Sequence, residues 1–220
     1  MSRVVVLDYG SGNLHSVASA LEAVGAVVQV SADIDLAAQA DGLVVPGVGT
    51  FAACMASLTA IGGDQVIRTR VAQSRPILGI CVGHQILFSA GVEQGSASAG
   101  VGLFPGAVQP LPTRRLPHMG WNTVEPSPKS RFFTTGEPYY FVHSYAAQER
   151  ADLPPEAIAL WATHEGHAFI AAVEAFPILS TQFHPEKSGP IGLALLKRWL
   201  RSLPEHGDGS DVPACHRRDS

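Results

Sequence analysis

The feature that most constrains this chain is a repeated pattern, in which a short apolar run ends at a turn rich in glycine or at a lone polar residue. Residues 4–7 lead into the turn 8–13, residues 43–45 into 46–49, and residues 76–80 into Cys81. Helical spacing follows each of these turns, which predicts a parallel sheet with helices on both faces. Functional loops of such sheets lie at the carboxyl ends of the strands, so we expect the three turns to meet at one edge.

The pattern also predicts the individual elements. In the first half we expect strands at residues 4–7, 27–30, 43–45 and 76–80, and helices at residues 14–24, 51–58, 65–72 and 84–90. In the second half, short apolar segments among prolines and glycines indicate a mixed or antiparallel extension. Its strands are predicted at residues 101–110, 122–124, 139–145, 157–163, 168–174 and 178–183, before a last helix at residues 190–202.

The length of 220 residues suits one domain at residues 1–203, followed by a polar, glycine-rich segment at residues 204–220 that we expect to be a flexible tail. A net charge of −4 gives no electrostatic reason to expect nucleic acid as a partner. No stretch has the length that spans a bilayer, and residues 4–7 are too short for a signal-peptide core. Three widely spaced cysteines form no disulfide framework, which favours a cytoplasmic protein.

Cys81 is the best candidate nucleophile, because the predicted strand at residues 76–80 runs directly into it and glycines flank it two residues away on either side. The segment resembles the Gly-x-Ser-x-Gly turn of hydrolases, with cysteine in place of serine. A helix start after it would favour the thiolate, and the N–H of Val82 would be placed to stabilise an oxyanion. A free cysteine is more often a buried structural residue, and Cys54 and Cys215 are interpreted that way.

His184 is the best candidate for the proton-transfer partner that a thiol nucleophile needs. It follows the strand predicted at residues 178–183, and Pro185 keeps it extended. Glu186 then projects to the same side, where its carboxylate would fix the imidazole tautomer and stabilise imidazolium. No histidine spacing predicts a metal site. The competing histidines, each more often structural when taken singly, are His15, His118, His143, His164 and His167.

Two segments, Gly-Ile-Cys-Val-Gly-His-Gln at residues 79–85 and His-Pro-Glu at residues 184–186, resemble the motifs of the class I glutamine amidotransferase family. Within that family, the chain is similar to the glutaminase subunits of imidazole glycerol phosphate synthase over residues 3–202. This similarity is carried by residues 8–13, 46–51, 117–122, 140–145 and 182–188. The resemblance implies a flavodoxin-like α/β domain, with a mostly parallel sheet flanked by helices and an antiparallel extension.

The resemblance also implies a role for each matching residue, with glutamine as substrate and no metal or organic cofactor. The catalytic triad would be Cys81, His184 and Glu186. The oxyanion hole would comprise Val82, Val48 and Gly49. The residues that hold glutamine would be Gln85, Glu93, His143, Ser144 and Tyr145. Residues near the interface of a heterodimer with a (β/α)₈-barrel cyclase subunit would be Asn13, Trp121 and Lys187.

In the chemistry that this implies, Cys81 attacks the side-chain amide of glutamine, ammonia leaves, and a glutamyl thioester is hydrolysed. The ammonia would pass to the cyclase, which makes imidazole glycerol phosphate and an aminoimidazole carboxamide ribotide in histidine biosynthesis. The loop at residues 46–49 is expected to rearrange when the partner binds its own substrate. The chain departs from the family's pattern at His84, where many relatives have methionine, and at Val82, where leucine is common.

Two other functions stay open at this point. A cysteine peptidase acting on γ-glutamyl bonds would share the fold class and the triad, but residues 117–122 and 184–188 argue against it. A non-catalytic binding subunit on the same scaffold would need neither nucleophile nor base. The joint presence of Cys81, His184 and Glu186 disfavours that second alternative.

Overall fold

The computed structural model describes residues 1–148 and 153–204, which form a central sheet, two smaller sheets and the helices around them. The strands are β1 Arg3–Leu7, β2 Val27–Ser31, β3 Gly42–Gly47, β4 Ile77–Cys81, β5 Phe88–Glu93, β6 Ser96–Ala99, β7 Phe104–Pro110, β8 His118–Val124, β9 Glu137–His143, β10 Tyr145–Ala147, β11 Ile158–His164, β12 His167–Ala175 and β13 Ile178–Thr181. The α-helices are α1 Leu14–Ala23, α2 Ile34–Gln39, α3 Phe51–Ala60, α4 Gly63–Ala72, α5 Val82–Gln85 and α6 Gly189–Arg201, and a 3₁₀-helix spans Pro185–Lys187.

The central sheet has seven strands in the order β11-β12-β13-β4-β3-β1-β2. The pairs from β13 to β2 are parallel, whereas β12 runs antiparallel to both β13 and β11. This arrangement confirms the predicted α/β fold with a mostly parallel sheet and an antiparallel extension. A four-stranded sheet in the order β10-β7-β5-β6 and the two-stranded antiparallel ribbon β8-β9 complete the extension.

The core lies on both sides of the adjacent strands β4, β3 and β1, which explains why they appear in the sequence as continuous apolar runs. All residues of β3 and β4 are buried, and so are the last four of β1. α1 packs against α6, while α3 packs against α4 and α5. Within the described residues, no helix combines the length and apolar character needed to cross a membrane.

Two neighbouring parallel strands bring the candidate nucleophile and its partner to the same edge of the sheet. Cys81 is the last residue of β4, and β13, which pairs with β4 in parallel, ends three residues before His184. On the other side of β4, Gly47 at the end of β3 stands opposite Cys81 in the strand register. The turns after β3 and β4 therefore meet at one edge of the sheet, as expected from the sequence, and the chain after β13 brings His184 to the same edge.

The helix predicted at residues 84–90 is wrong. The structure has the single turn α5, and the chain then enters β5, which pairs with β6 and β7. The apolar run 86–88 is fully buried, and a short buried run does not distinguish helix from strand by periodicity. Gly91 packs under the ring of Phe51, where any side chain on that position would collide with the ring.

Other differences concern boundaries. The strand predicted at residues 122–124 begins earlier, at His118, and the strand predicted at residues 139–145 is divided at Ser144 into β9 and β10. α2 and β6 were not predicted. The expected tail falls, apart from residue 204, on residues 205–220, which lie outside the described residues.

Candidate active site

Cys81 occupies a strained turn between β4 and α5. Its φ of 57° and ψ of −114° lie in a region that residues with a side chain rarely adopt. Strain of this kind persists only where the surrounding structure imposes it, and it is common at nucleophile turns between a strand and a helix. The residue is buried, at 5% exposure, so the thiol faces a restricted space rather than bulk solvent.

Close backbone packing explains the glycines around this turn. A Cβ on Gly83 would overlap the carbonyl oxygen of Val45 in β3, and a Cβ on Gly79 would lie 2.8 Å from the carbonyl oxygen of Gly83. A Cβ on Gly47 would lie 2.6 Å from the amide nitrogen of Gly83. The first turn of α5 therefore rests directly on β3 and β4, and this contact holds the nucleophile turn in place.

His184 is held by a buried carboxylate and by the β8-β9 ribbon. Its Nδ1 lies 2.8 Å from Glu186 Oε1, and both side chains are almost fully buried, at 3% and 1% exposure. The backbone N–H of His184 donates to the carbonyl of Tyr140 at 2.9 Å. The hydroxyl of Ser188 donates to the carbonyl of His184 at 2.6 Å. These contacts leave the imidazole little freedom to rotate.

The electrostatic environment of His184 favours imidazolium. Burial lowers its pKa, but hydrogen bonds and charge interactions with Cys81 and Glu186 outweigh burial and raise the pKa to about 9. Nε2 has no other hydrogen-bond partner among the described residues. The ring is therefore cationic at neutral pH, with one N–H toward Glu186 and the other available to the thiol and to a leaving group.

A cavity of about 300 Å³ lies at this edge of the sheet and is lined by Val48, Gly49, Cys81, Val82, Gln85, Glu93, Val142, His143, Ser144, Tyr145, His184 and Lys187. It contains the predicted oxyanion and glutamine-binding residues together with two members of the predicted triad. Glu186 reaches the cavity only through His184. A larger cavity of about 500 Å³ lies elsewhere, between residues 125 and 161, and has no cysteine or histidine in its lining.

Two of the predicted substrate residues are already engaged in contacts within the protein. Gln85 donates from Nε2 to the carbonyl of Tyr145 at 2.8 Å and to Gln182 Oε1 at 2.9 Å. Glu93 Oε1 accepts the N–H of Phe51 at 3.0 Å, at the start of α3. These side chains shape the cavity walls as well as facing the cavity.

Gln182 was not singled out from the sequence. Its Nε2 lies 4.0 Å from Cys81 Sγ, and the side chain is fully buried. The sequence offered a signal, because Gln182 stands two residues before His184 in a predicted strand, a spacing that would place both side chains on the same side. In the structure β13 ends at Thr181 and the chain bends at residues 182 and 183.

In the loop after β3, the backbone N–H and carbonyl of Val48 both form hydrogen bonds within the protein, so this N–H does not face an oxyanion in the present conformation. The N–H of Val48 donates to Ser11 Oγ at 3.0 Å, and the Ser11 hydroxyl donates back to the carbonyl of Val48 at 2.8 Å. The thiol of Cys54 donates to the same carbonyl at 3.2 Å. In this conformation the N–H of Val48 is occupied, whereas Val82, as the first residue of α5, has no intrahelical acceptor for its N–H. The roles of Ser11 and Cys54 were not predicted.

The predicted interface residues lie at the surface, outside or at the rim of the cavity. Trp121 is 57% exposed and contacts the ring of Tyr140 edge-on. Asn13 is exposed and accepts the N–H of Ser16 at the start of α1, and Lys187 is exposed and lines the cavity. Met119, also exposed, stands opposite Val142, which lines the cavity. The outer face of β8 is thus continuous with the cavity wall.

His84 does not line the cavity. It is fully buried, its Nδ1 lies 2.8 Å from Ser180 Oγ, and burial lowers its pKa to about 3. This departure from the family's pattern therefore affects packing beneath α5 rather than substrate contacts. Among the described residues, no cluster of three or more histidine, cysteine, aspartate or glutamate side chains is arranged to hold a metal ion.

Comparison with known proteins gives matches over most of the chain. The profile of the family described as glutamine amidotransferase class-I matches residues 5–203. The protein named imidazole glycerol phosphate synthase subunit HisH in Mycolicibacterium paratuberculosis is 57% identical over 203 residues, covering 91% of this chain and 98% of that protein. Its namesake in Corynebacterium diphtheriae is 50% identical over 210 residues, covering 92% and 100%.

Solved structures share the fold at low sequence identity. A crystal structure described as a glutamine amidotransferase has a TM-score of 0.68 at 18% identity, covering 89% of this chain and 98% of that one. The glutaminase domain of Trypanosoma brucei CTPS with bound acivicin has a TM-score of 0.61 at 17% identity, covering 91% and 94%.

Proposed function

The chain belongs to the class I glutamine amidotransferase family, and we propose that it is the glutaminase subunit of an imidazole glycerol phosphate synthase. One observation carries the proposal: Cys81 and His184 line the same glutamine-sized cavity at one edge of the sheet. Glu186 is hydrogen-bonded to the imidazole of His184. The relatives named as subunits of that synthase are similar over nearly their whole length, which supports this assignment within the family.

The proposed reaction begins with attack of the Cys81 thiolate on the side-chain carbonyl carbon of glutamine. The carbonyl oxygen becomes an oxyanion, which accepts hydrogen bonds from the N–H of Val82 and from the loop at residues 46–49. When the C–N bond breaks, imidazolium at His184 gives a proton to the departing nitrogen and ammonia leaves. The product of this first half is a glutamyl thioester and a neutral His184.

The second half of the reaction returns the enzyme to its starting state. Neutral His184 takes a proton from water, which attacks the thioester carbonyl. Collapse of the second tetrahedral intermediate releases glutamate and the thiolate, so that one glutamine and one water give one glutamate and one ammonia. Glu186 stays ionised throughout and holds the imidazole in one tautomer and orientation.

The cavity walls support glutamine as the substrate. A volume of about 300 Å³ admits a small amino acid, and the segment from His143 to Tyr145 offers backbone polar groups beside the cavity. Glu93 supplies a carboxylate and Lys187 an ammonium group, which match the α-amino and α-carboxylate charges of an amino acid.

The engagement of Val48 supports control of the glutaminase by a partner. Because the N–H of Val48 donates to Ser11, the oxyanion hole of this conformation lacks that donor. Glycines at positions 47 and 49 allow the peptide between Gly47 and Val48 to flip, and Gly49 already has a φ of +94°. We expect binding of the partner and its substrate to favour the conformation in which a loop N–H faces the oxyanion, so that ammonia forms when it can be used.

The proposed partner is a cyclase subunit with a (β/α)₈ barrel, which receives ammonia and produces imidazole glycerol phosphate and an aminoimidazole carboxamide ribotide in a cytoplasmic heterodimer. The exposed Met119 and Trp121 beside the cavity form an apolar surface of the kind that interfaces bury. Asn13 and Lys187 would add polar contacts at its edge.

The experiment that tests the function compares glutamine with ammonium salt as the nitrogen source for the complex. Cys81→Ala should abolish glutamine-dependent formation of imidazole glycerol phosphate while formation from added ammonium salt persists, because the barrel's chemistry does not need the thiol. Cys215→Ala, which removes a thiol outside the described residues, is the matched control. Glutamate release by Cys81→Ala at the wild-type rate would reject the proposed nucleophile, and loss of the ammonia-dependent reaction would show a general defect of the complex.

A further inference from the structure

The segment at residues 117–122 has no part in the chemistry described above, yet it buries the side chain of His118 and partly buries that of Asn122. β8 alternates in the usual way, with Met119 and Trp121 exposed and His118 and Asn122 directed inward. His118 is 5% exposed, and His143, which faces it across the ribbon, is 6% exposed. Buried histidines need hydrogen-bond partners, and these two find them in each other.

Four hydrogen bonds form a series from Thr163 through this segment to His143 and Tyr145 in the cavity wall. Asn122 Nδ2 donates to the carbonyl of Thr163 at 2.9 Å, which identifies the amide nitrogen of that side chain, and the same nitrogen lies 3.3 Å from His118 Nε2. His118 Nδ1 lies 2.9 Å from His143 Nε2. His143 Nδ1 lies 3.0 Å from the carbonyl oxygen of Tyr145.

Asn122 at one end of this series and the carbonyl of Tyr145 at the other require the same positions for the ring protons of His118 and His143. The amide of Asn122 can only donate through nitrogen, so His118 Nε2 accepts and its proton is on Nδ1. That proton is donated to His143 Nε2, which leaves the second proton on His143 Nδ1. The carbonyl of Tyr145 can only accept, and it therefore requires a proton on the same Nδ1. One arrangement, with both rings neutral and both protons on Nδ1, satisfies every contact.

Burial keeps both rings neutral. It lowers the pKa of His118 to about 4, with a further contribution from His164, and the pKa of His143 to about 3. Neither histidine is therefore available as the cationic acid that the reaction needs, which leaves that role to His184.

The last acceptor in the series belongs to the cavity. The carbonyl of Tyr145 accepts His143 Nδ1–H and also Gln85 Nε2–H at 2.8 Å, so two side-chain donors hold the peptide between Tyr145 and Ala146, one residue after the bend at Ser144. Ser144 is the bend that separates β9 from β10, and residues 143–145 all line the cavity. Without the donor from His143, the carbonyl of Tyr145 would lose one of its two side-chain donors, and the bend would keep the hydrogen bond from the N–H of Leu111 to the carbonyl of Ser144 at 2.9 Å.

We propose that His118 and Asn122 are positioning residues, which act through His143 to hold the bend at Ser144 in the geometry that binds glutamine. This rests on the proposed function for the identity of the substrate. Neither residue lines the cavity, so their effect is on the affinity for glutamine and not on the proton transfers at Cys81 and His184.

A pair of substitutions separates the hydrogen bond from simple packing. His118→Phe keeps a ring that can stack on Phe141 and His164 but removes the N–H donor. His118→Asn loses the ring but keeps an amide N–H close to the place of Nδ1. In the complex with the cyclase, His118→Phe should raise KM for glutamine about tenfold with kcat within about twofold, as loss of one buried hydrogen bond predicts. His118→Asn should restore most of the lost affinity.

Unchanged KM in His118→Phe, a fall in kcat without a rise in KM, or equal defects in both variants would overturn the proposal. The proton positions are tested separately by ¹⁵N NMR of the histidine-labelled wild-type protein at neutral pH. Both His118 and His143 should be neutral with the proton on Nδ1, and a proton on Nε2 of either ring overturns the assignment even if His118→Phe does not fold. A wild-type complex without glutaminase activity would instead defeat the proposed function and leave the NMR result standing.

Discussion

Ser11 Oγ accepts the N–H of Val48 at 3.0 Å and its hydroxyl donates to the carbonyl of the same residue at 2.8 Å. One side chain thus satisfies both polar groups of a residue whose N–H is a candidate donor to the oxyanion. The thiol of Cys54 adds a third contact to the same residue, at 3.2 Å from the carbonyl oxygen. The conformation of the loop is therefore set by side chains on its neighbours, not by the loop alone.

Removing the Ser11 hydroxyl should release the loop. Ser11→Ala should raise glutamine hydrolysis by the isolated subunit about tenfold, because two hydrogen bonds of about 1 kcal/mol each favour the present conformation and partial compensation by water is expected. Ser11→Thr, which keeps a hydroxyl, is the matched control. Glutamate release without the cyclase is the measurement, and equal basal rates in Ser11→Ala and wild type would show that this contact does not limit activity.

Packing of α5 on the sheet predicts a large loss of stability for Gly83→Ala. The added methyl group would overlap the carbonyl of Val45, so we expect the free energy of unfolding in urea to fall by more than about 3 kcal/mol. At Gly136, a Cβ would meet its nearest neighbour, a methyl group of Thr123, at 3.4 Å, and Gly136→Ala should therefore change stability by less than about 1 kcal/mol. Similar losses in the two variants would contradict the packing argument.

The pH dependence of catalysis should report His184. Because its pKa is raised to about 9, the proton donor to ammonia is present at neutral pH and is lost as pH rises through that value, so kcat/KM should fall above pH 9. Glu186→Gln removes a hydrogen-bonded negative charge that raises this pKa, and should move the fall to lower pH.

The amine of the substrate also titrates in alkaline solution, but it does so identically for both enzymes. The comparison of wild type with Glu186→Gln therefore isolates the contribution of the protein. Superimposable pH profiles with only a lower plateau would show that Glu186 orients the imidazole without affecting its pKa.

The exposed face of β8 predicts the site of the partner. Trp121→Ala should weaken binding of the cyclase subunit at least about tenfold in calorimetric titration, as loss of a buried aromatic anchor does. Phe176→Ala, which truncates another strongly exposed aromatic residue on the turn between β12 and β13, is the control and should leave the affinity unchanged. Equal losses, or none in Trp121→Ala, would place the interface elsewhere.

The sequence was sufficient for the central sheet because β1, β3 and β4 are buried on both faces and so stand out as apolar runs that end at turns. It also pointed to Cys81 through the glycines that close packing requires. It failed at residues 84–90, where the short run 86–88 is buried in either conformation and only pairing with β6 and β7 decides for a strand.

The site was predicted least well where it depends on contacts between distant segments. Ser11 lies 37 residues from Val48 in the sequence, and Cys54 lies 6 residues from it. No local sequence pattern predicts either contact. His118 is likewise indistinguishable from the other histidines in the sequence. Its contact with His143 forms only when β8 pairs with β9. Tertiary hydrogen bonds of this kind cannot be derived from periodicity or local motifs.

The most direct test of this account measures glutamate release by the wild-type subunit alone, with the cyclase, and with the cyclase and its nucleotide substrate. If the loop at Val48 controls the oxyanion hole, the rate should be low for the isolated subunit and should rise strongly only when both partner and substrate are present. Equal rates in all three conditions would contradict the account, because Cys81 and His184 would then work without any rearrangement of the loop.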